Sequence, residues 1–411
     1  MRILFLSDNF PPEVNAPASR TYEHCREWVS LGHEVTVITG APNFPKGILY
    51  PGYKNAFYQT EIIDGIRVVR VWTLIAANRG VWKRSLDYSS FMASSFLASL
   101  ANRGFDVVIG TSPQIFTVCS AFMVGKLKKI PFVFELRDLW PESIKAVDAL
   151  RMSAIIKVFE RLELYLYKKS SKIISVTESF KENLISRGVE PSKIEVVING
   201  VDLTRFRPQL KDQELIDRYG LGGKFVVGYV GTHGMAHALD TLLYSAVMFQ
   251  NGDSGDDQIR FLFLGDGAEK LKLMELAQSL SLKNVVFVDS VPKNEVARHW
   301  SLLDVAIIHL KKDPLFRTVI PSKLFECMGM GIPIAHGVKG ESARIVENHN
   351  LGLLFEPENP TSLYQTLKKM QSNPVQLKAF HRNSINSAPL YDRKKLAVKM
   401  LEVIEKTVHS S

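Results

Sequence analysis

The chain has 411 residues, of which 46% are hydrophobic and 23% are charged, and its formal net charge is +9. This composition is ordinary for a globular protein, and the length is sufficient for two buried cores. Three widely separated cysteines, Cys25, Cys119 and Cys327, lack the spacing of a disulfide framework or a zinc site. No apolar run reaches the ~20 residues that span a bilayer, and the N-terminal MRILFLSDNF is interpreted as a strand and not as a signal peptide. These features favour a cytoplasmic protein.

The first half of the chain alternates predicted strands with predicted helices. Short apolar runs separated by segments of helical periodicity are typical of a parallel sheet wrapped by helices. We predict strands at residues 2–7, 34–39, 65–72, 106–110, 131–136 and 172–177, and helices at residues 17–31, 83–102 and 155–169.

The alternation weakens in a polar, turn-rich stretch at residues 205–221 and then resumes. We predict strands at residues 224–231, 259–265, 284–288 and 304–310, helices at 239–249, 270–280 and 295–301, and an amphipathic helix at 391–407. The expected domains are residues 1–204, residues 205–385 and a C-terminal helical segment, 386–411. Both halves are expected to be doubly wound sheets, which bind ligands at the carboxyl ends of their strands.

Two loops of the first half follow predicted strands. SDNFPPEVNAPASR, residues 7–20, is stiffened by two prolines and places Asn15 and Ala16 just ahead of a helix. ELRDLWPES, residues 135–143, combines charged and aromatic side chains at a strand end, a position that is often functional. Asp138 in this loop is a candidate for contact with a bound substrate; alternatively, it caps a helix or pairs with Arg137.

The stretch VGYVGTHGMAHALD, residues 227–240, predicts a strand, a glycine-rich turn and a helix start. Gly231 and Gly234 allow close approach of the backbone to a ligand, and free N–H groups there can bind phosphate. The spacing is not that of the GxGxxG dinucleotide fingerprint. His233 and His237 are either ligand contacts or ordinary packing residues.

The stretch RTVIPSKLFECMGMGIPI, residues 317–334, predicts a short helix with a polar face. Ser322, Lys323 and Glu326 share one face, and Pro321 suits the first helical position. A phosphate bound at the helix N-terminus would explain Lys323, and the Glu326 carboxylate can accept from both hydroxyls of a vicinal diol. Phosphate and diol together indicate a nucleoside diphosphate. The alternative is a solvated Lys–Glu pair of little energetic value.

Basic residues also occur just before this helix and in a separate stretch of the first half of the chain. Arg317 precedes the helix, and we favour it over Lys311 and Lys312 as a diphosphate ligand. Residues 65–104 hold six basic residues against one acid, Asp87, interspersed with aromatic residues. That region suits an anionic lipid surface or a pyrophosphate-bearing acceptor, or else is a solvated face with a few core aromatics. No zinc-finger, RNP or basic-zipper pattern supports binding of nucleic acid.

Over nearly its full length the chain resembles the retaining GT-B glycosyltransferases of family 4. The motifs that carry this resemblance are the N-terminal loop, ELRDLWPES, VINGVD, GYVGTHG and the Lys/Glu helix. The combination of RDLWPES with PSKLFE is most similar to bacterial O-antigen and capsule transferases for N-acetylfucosamine and related amino sugars. The resemblance implies an α/β fold of two facing Rossmann-like domains, with the C-terminal helix crossing back to the first. It also implies an N-terminal acceptor domain and a C-terminal donor domain.

The resemblance assigns roles to individual residues. Glu326 matches the second Glu of the family's Glu-x7-Glu motif and would hold the ribose, while Lys323 and Arg317 would hold the diphosphate. Asp138 and Glu326 are the expected catalytic residues. The expected donor-binding set is Asn15, Ala16, Gly231, Thr232, His233, Gly234, Arg317, Ser322, Lys323 and Glu326, and the acceptor-side set is Glu13, Arg20, Arg137 and Trp140.

The sequence departs from the family pattern at three places. Thr318 stands where the first Glu of Glu-x7-Glu is expected, and Ala16 replaces a glycine. His233 and His237 lie where the family has Arg and Lys. Lys323 is therefore expected to supply the positive charge of the missing Arg and Lys. No Asp-x-Asp motif occurs, and we expect no metal and no cofactor besides the UDP-sugar donor.

The expected function is transfer of an N-acetylated amino sugar, such as N-acetyl-L-fucosamine, from a UDP-sugar to a polyprenyl-diphosphate-linked saccharide. Retention would follow from front-face attack, with the diphosphate taking the acceptor's proton. The enzyme is expected to be cytoplasmic and peripheral at the inner membrane surface, in O-antigen or capsule synthesis. Two alternatives are a UDP-sugar 2-epimerase on the same fold and a non-catalytic two-domain sugar-nucleotide binding protein.

Overall fold

In the computed structural model, the described residues are 1–44, 47–75, 81–139, 153–252 and 258–410, without the side chains of 81–84 and 153–155. They divide into two compact units. Unit 1 contains Met1–Asn199 and Arg393–Ser411, and unit 2 contains Gly200–Asp392.

Unit 1 is built on a sheet whose strands alternate with helices. Its strands are β1 (Arg2–Leu6), β2 (Glu34–Gly40), β3 (Tyr58–Ile63), β4 (Ile66–Val71), β5 (Val107–Thr111), β6 (Phe132–Leu136), β7 (Lys172–Ser175) and β8 (Ile194–Val196). Its helices are α1 (Ala16–Ser30), α2 (Val81–Ala101), α3 (Ile115–Lys128), α4 (Ser153–Lys169) and α5 (Glu178–Ser186), with a short 3-10 helix at Pro191–Lys193.

The first sheet has the order β3-β4-β2-β1-β5-β6-β7-β8 in the described part of the chain. All of its neighbouring strands are parallel except the edge pair β3 and β4. The strand order reverses between β1 and β5, which makes that position the switch point where loops diverge and a crevice opens. The loop 7–15 and the turn 112–114 leave the sheet there.

Unit 2 repeats the same alternation. Its strands are β9 (Phe225–Val230), β10 (Ile259–Leu264), β11 (Val285–Val288), β12 (Val305–His309), β13 (Ile334–Gly337) and β14 (Gly352–Leu354). Its helices are α6 (Gln213–Tyr219), α7 (Asp240–Gln250), α8 (Lys270–Ser279), α9 (Val296–Trp300), α10 (Lys323–Met330), α11 (Glu341–Asn348), α12 (Pro360–Gln371) and α13 (Pro374–Ser387), with 3-10 helices at Met235–His237, Pro314–Thr318 and Ala388–Tyr391.

The second sheet is entirely parallel, in the order β11-β10-β9-β12-β13-β14. This is the Rossmann order, with its switch point between β9 and β12. The core on one side of the sheet contains Tyr229, Phe249, Phe261 and Leu363, each at most 2% exposed. The glycine turn after β9 and the basic segment after β12 therefore leave the sheet at adjacent positions.

The last helix, α14 (Arg393–His409), belongs to the core of unit 1. Trp28 Nε1 donates to the Ala397 carbonyl at 2.8 Å, and Arg393 pairs with Glu23. Met400 and Ile404 are fully buried in the cluster that contains Trp28. The expectation of two Rossmann-like domains with a C-terminal helix returning to the first is confirmed.

Several helices and strands were not predicted from the sequence. Helix α6 lies in the stretch interpreted as turn-rich, where Asp212 caps it by accepting from Leu215 N at 3.1 Å. The edge strands β3, β8 and β14 were also missed because short strands carry little periodic signal. In unit 2, β13 and helices α11 to α13 lie beyond the last strand that we predicted. None of the described helices is long and apolar enough to cross a membrane.

Candidate active site

Three glycines pack the carboxyl ends of β9 and β10 closely together. Gly231, Gly265 and Gly267 have φ values of 136°, 143° and 156°, in or near the region that only glycine occupies readily. A Cβ at Gly265 would lie 1.9 Å from the Gly231 carbonyl oxygen, and one at Gly267 would lie 2.4 Å from the His233 carbonyl oxygen. The turn after β9 is thus fixed by backbone packing, and its shape admits no larger residue at these positions.

Lys323 reaches this turn from α10. A Cβ at Gly231 would meet Lys323 Cε at 2.4 Å and Nζ at 2.8 Å, so the lysine side chain lies directly on the glycine. The ammonium also sits over the ring of Tyr229, 4.7 Å from its centroid. Tyr229 is 1% exposed, and its hydroxyl donates to the Thr232 carbonyl at 2.9 Å. A cation held over a buried aromatic face is thereby delivered to the end of β9.

The two histidines of the turn do not supply positive charge. Burial, Lys270 and Lys323 lower the pKa of His233 to about 4, against the opposing effect of Asp266. Burial and Lys323 lower the pKa of His237 to about 3. Both rings are therefore neutral near pH 7. Both ring nitrogens of His233, which is fully buried, lack a hydrogen-bond partner within the described residues.

Glu326 lies one turn after Lys323 on the same half-buried face of α10. Its Oε2 accepts from Trp300 Nε1 at 3.1 Å, and Trp300 is fully buried. The opposite face, including Leu324, Cys327 and Met328, is completely buried in the core of unit 2. The two faces predicted from the helical period are thus present. On the half-buried face, the indole N–H of Trp300 orients the Glu326 carboxylate, an interaction that could not be predicted from the sequence.

The ends of α10 differ slightly from the expected ones. The helix begins at Lys323 with Ser322 as its N-cap residue, so Pro321 precedes the helix instead of opening it. The Ser322 carbonyl accepts from the N–H groups of Phe325 and Glu326. Gly331, with φ 71°, ends the helix in the left-handed conformation. Ser322 and Lys323 therefore stand at the N-terminus, where the helix dipole favours an anion.

Arg317 and Thr318 lie in the 3-10 helix Pro314–Thr318. Arg317 is exposed, and its carbonyl packs against Gly340, where a Cβ would come within 2.0 Å. Arg317 lines a cavity of about 40 Å³ together with Lys311, Lys312 and Lys339. Lys312 and Lys339 both pair with Glu356. Thr318 donates its hydroxyl to the Leu315 carbonyl at 2.7 Å, so the position of the family's first Glu has a local role here.

The switch point of the first sheet carries a separate cavity of about 340 Å³. Asp8 follows β1 and lines it, with Asp8 Oδ2 accepting from Gln114 Nε2 and, at 3.3 Å, from Asn9 Nδ2. Glu13 and Asp87 line the same cavity. Burial, Asp87 and Glu13 raise the pKa of Asp8 to about 7, and the bond from Gln114 opposes this rise. Asp8 was not among the residues singled out from the sequence.

The raised pKa of Asp8 predicts a pH-dependent stability. Between about pH 4 and pH 7 the folded protein holds a proton that the unfolded chain releases, so raising the pH across this window lowers the free energy of unfolding. At pH 8 we expect Asp8→Asn to be more stable than wild type by about 1 kcal/mol or more, since one pKa unit corresponds to about 1.4 kcal/mol.

The midpoint of urea unfolding, measured on the intact chain at pH 4 and pH 8, reports this effect. The gain in stability of Asp8→Asn over wild type should shrink toward pH 4. Glu34→Gln, an exposed change at the opposite end of the same sheet, is the matched control. An Asn variant that is less stable at pH 8, or equally altered at both pH values, would contradict the assigned pKa.

The predicted residues of the N-terminal loop occupy distinct positions. Glu13 is 4% exposed and its Oε1 accepts from the N–H groups of Asn43 and Phe44, each at 2.9 Å. Asn15 is the N-cap of α1, accepting from Ala18 N at 2.9 Å, and it lines the cavity of Asp8. Ala16 is exposed at the first helical position.

Arg20 lies in the interior of unit 1. It is 2% exposed and pairs with the buried Glu135 at 2.9 Å. Its remaining N–H groups donate to the Val197 and Ile198 carbonyls and to Asn199 Oδ1, each at 3.0 Å. These contacts tie α1 to β6 and to the end of β8, which gives the guanidinium a structural place away from solvent.

The loop after β6 is described as far as Leu139, so Trp140 and the rest of RDLWPES lie outside the described residues. Ser112 Oγ accepts from the backbone N–H groups of Arg137, at 2.8 Å, and Asp138, at 3.4 Å. Arg137 donates to the Pro17 carbonyl, and burial lowers its pKa to about 10. Arg137 and Asp138 are thus fixed beside the end of β5, next to the switch point.

The basic region 65–104 is less uniformly exposed than its composition indicated. Arg70 is 2% exposed, pairs with Glu61 and donates to the Gly40 and Pro11 carbonyls, so it contributes no surface charge. Phe91 is fully buried, whereas Trp72 stacks on the exposed Phe57. Arg67 is exposed. Arg79 and the side chains of Lys83 and Arg84 lie outside the description.

Comparison with known families accounts for both units. A family model described as Glycosyltransferase Family 4 matches residues 18–205, and one described as Glycosyl transferases group 1 matches residues 224–373. The chain belongs to glycosyltransferase family 4. As a member it is a retaining glycosyltransferase with the GT-B fold, as the motifs predicted.

Relatives of this family 4 enzyme are similar over most of its length. The putative colanic acid biosynthesis glycosyl transferase WcaI of Escherichia coli is 25% identical and covers 80% of this chain and 82% of its own. A GDP-mannose-dependent alpha-mannosyltransferase of Mycobacterium tuberculosis is 24% identical over 86% of this chain and 84% of its own.

Two further proteins extend the comparison. The N-acetylgalactosamine-N,N'-diacetylbacillosaminyl-diphospho-undecaprenol 4-alpha-N-acetylgalactosaminyltransferase of Campylobacter jejuni is 23% identical over 58% of this chain and 61% of its own. The structure of Anabaena HepE with UDP-glucose matches the fold with a TM-score of 0.73, 15% identity, and coverage of 99% of this chain and 100% of that chain.

Proposed function

We propose that this enzyme transfers an N-acetylated amino sugar from a UDP-sugar to a polyprenyl-diphosphate-linked saccharide during synthesis of a bacterial surface polysaccharide. The observation that carries the donor half of this proposal is the ammonium of Lys323 on the glycine turn after β9, whose two histidines are neutral near pH 7. A fixed cation at the switch point of the sheet, beside a helix N-terminus, suits a diphosphate.

Glu326 supplies the second donor contact. Its carboxylate lies one helical turn from Lys323, and Trp300 holds one of its oxygens. Ribose offers two adjacent hydroxyls, and both can donate hydrogen bonds to one carboxylate. A nucleotide whose diphosphate binds Lys323 and whose ribose binds Glu326 would therefore lie along α10. Ser322, Thr232 and Gly234 flank this path, and Arg317 provides a further cation from the segment before α10.

The chemistry asked of these groups is stabilisation of the leaving diphosphate. As the bond between the anomeric carbon and the diphosphate lengthens, negative charge accumulates on the phosphate oxygens. A preplaced ammonium and helix N–H groups lower the barrier because they interact more strongly with the charge of the transition state than with the donor in its ground state. In front-face attack the acceptor hydroxyl passes its proton to the departing diphosphate. We place Asp138 on the acceptor side of this reaction.

The acceptor half of the proposal is supported by the names of relatives. The Campylobacter jejuni relative acts on a diphospho-undecaprenol saccharide and transfers N-acetylgalactosamine, and WcaI is assigned to colanic acid synthesis. We extend the lipid-linked acceptor and the amino-sugar donor to this enzyme. Such an acceptor resides in a bilayer, so we also propose peripheral binding at the inner membrane surface, with the exposed residues of the 65–104 region contributing.

A second donor class has a specific observation in its favour. The Mycobacterium tuberculosis relative is a GDP-mannose-dependent enzyme and matches more of this chain than the amino-sugar relative does. The contacts of Lys323 and Glu326 involve diphosphate and ribose, which UDP and GDP share. A GDP-sugar is therefore the second candidate donor.

A donor screen with the acceptor in vesicles tests the proposal. UDP-, GDP- and dTDP-sugars are offered to the full chain with a short polyprenyl-diphosphate saccharide in anionic vesicles, and lipid-linked product is followed by mass spectrometry. We expect product from a UDP-N-acetylamino sugar, and co-sedimentation of the enzyme with the vesicles that weakens at high salt. Turnover of GDP-mannose alone, or conversion of a UDP-sugar without acceptor, would contradict the donor assignment. Equal recovery in the supernatant with and without vesicles would contradict membrane binding.

A further inference from the structure

The amino ends of four neighbouring strands in the first sheet border a cavity of about 280 Å³. The strands β4, β2, β1 and β5 are adjacent in that order, and the cavity lies where they begin. Active sites of parallel sheets collect at the carboxyl ends of the strands, so this cavity lies at the opposite edge of the sheet from the crevice of Asp8. All segments that line it fall within the described ranges 1–44, 47–75 and 81–139.

Three arginines from separate segments line this cavity. Arg2 lies on β1, Arg67 lies on β4, and Arg103 follows α2. A Cβ at Gly104, where φ is 81°, would collide with Arg2 Nη1, so the turn before β5 seats the Arg2 guanidinium. The one carboxylate in the described lining is that of Glu34. The lining therefore carries three guanidiniums against one carboxylate, a surplus of two positive charges.

The acidic groups around the cavity neutralise little of this charge. Arg2 Nε lies 3.4 Å from Glu34 Oε2, and the two side chains are 55% and 76% exposed, so solvent screens the pair. Asp106 accepts the backbone N–H of Arg2 at 2.7 Å. Arg67 and Arg103 are exposed and have no acidic partner among the described residues. Two guanidiniums are thus available to an anion.

The remaining ionisable group of the lining, His33, adds no charge near pH 7. Its Nε2 lies 3.7 Å from a carboxylate oxygen of Glu405. Burial lowers the pKa of His33 despite the opposing effect of Glu405, so the ring is neutral and can take part in hydrogen bonds. The charge of the cavity is therefore set by its arginines.

The helix that precedes Arg103 does not account for its charge. Helix α2 ends at Ala101, and a cation near a helix C-terminus is stabilised by the helix dipole. Lys128 already fills that role, because its Nζ donates to the Asn102 carbonyl at 2.7 Å. Burial and the charge of Arg103 lower the pKa of Lys128. Arg103 thus adds a repulsion between like charges that a bound anion would relieve.

We propose that this cavity binds a phosphate monoester, held by the guanidiniums of Arg2, Arg67 and Arg103. A guanidinium binds phosphate through two parallel N–H···O bonds, and a phosphate monoester near neutral pH carries about two negative charges. This charge equals the surplus of the lining. A single carboxylate would leave one positive charge uncompensated, and a long polyanion would extend far beyond a cavity of this size. The site is separate from the proposed diphosphate site, which belongs to α10 of unit 2.

The phosphate group comes from one of two sources with the same chemistry. It is carried either by a soluble ester or by the head group of phosphatidic acid in a bilayer. Arg67 and Arg103 belong to the 65–104 region, whose exposed residues we propose for membrane binding above. The experiment therefore separates a phosphate site from general attraction to an anionic surface.

Isothermal titration calorimetry of the intact chain with glycerol 3-phosphate tests the soluble source. We expect binding that weakens by about ten-fold or more in Arg67→Gln and in Arg103→Gln, since each variant loses a charge-assisted pair. Glu34→Gln removes the carboxylate of the lining and should tighten binding. Arg161→Gln, an exposed change on α4, and Lys323→Met, at the donor site, should bind as wild type.

Sedimentation with vesicles tests the lipid source. The vesicles contain phosphatidic acid or, at equal surface charge, phosphatidylglycerol, whose phosphate is a diester. A preference for phosphatidic acid that Arg67→Gln and Arg103→Gln remove identifies the lipid head group as the source, and a response in calorimetry alone identifies the soluble ester. Either result supports the site. If neither ligand responds to these two substitutions, or if Lys323→Met abolishes binding of glycerol 3-phosphate, the proposal is overturned.

Discussion

Lys323→Met is expected to reduce kcat by about 100-fold or more, since loss of one preplaced donor to a developing anion typically costs ~10²–10³ in rate. The side chain lies against Gly231 and over Tyr229, and the histidines beside it are neutral. The other cation near this turn, Lys270, donates to the Gly265 and Val288 carbonyls and pairs with Asp289. Methionine preserves the length of the side chain and removes its charge, so the effect reports the ammonium.

Three companion variants separate charge from structure. Lys272→Met changes a lysine on α8 whose side chain is 73% exposed, and should leave turnover unchanged. Tyr229→Phe keeps the ring beneath the ammonium and should retain most activity, whereas Tyr229→Leu removes the ring and should lower kcat. Steady-state release of nucleoside diphosphate measures all four variants. Wild-type turnover by Lys323→Met would remove the lysine from the donor site.

Glu326→Ala is expected to weaken UDP binding by about 10- to 100-fold, because a hydrogen bond to a charged group contributes about 1.5–3 kcal/mol. The carboxylate is oriented by Trp300, so Trp300→Phe should produce a smaller loss of the same kind. Isothermal titration calorimetry with UDP gives both values.

A ligand lacking one hydroxyl isolates the ribose contact. In wild type, 2′-deoxy-UDP should bind more weakly than UDP, and in Glu326→Ala the two ligands should bind alike. A persistent preference for UDP in Glu326→Ala would show that another group reads the ribose. Comparing the ligands within one variant cancels any general effect of the substitution on the fold.

Local sequence periodicity was sufficient to predict most strands of the two sheets and the two faces of α10. Strands such as β9 and β12 are continuous apolar runs because both faces of a parallel sheet are covered. Leu324 and Met328 could be assigned to the core from helical spacing alone. The glycine turn after β9 was also recognisable, since Gly231 follows directly on a predicted strand.

The contacts that organise the sites could not be predicted in this way. Lys323 meets Tyr229 and Glu326 meets Trp300 only after the sheet has been assembled, so neither pair leaves a local pattern. The cavity at Asp8 likewise combines the loop after β1 with α2 and the turn before α3. Arg70 was wrongly expected to add charge to the surface because charged residues are mostly exposed. In the structure, Glu61 and two carbonyls satisfy its guanidinium in the interior.

The structure of the enzyme crystallised with UDP tests the donor assignment most directly. The account predicts the diphosphate within hydrogen-bond distance of Lys323 Nζ and of the backbone N–H groups at the Gly231 turn, with both ribose hydroxyls on Glu326. A diphosphate bound away from Lys323, or a ribose that does not contact Glu326, would contradict it.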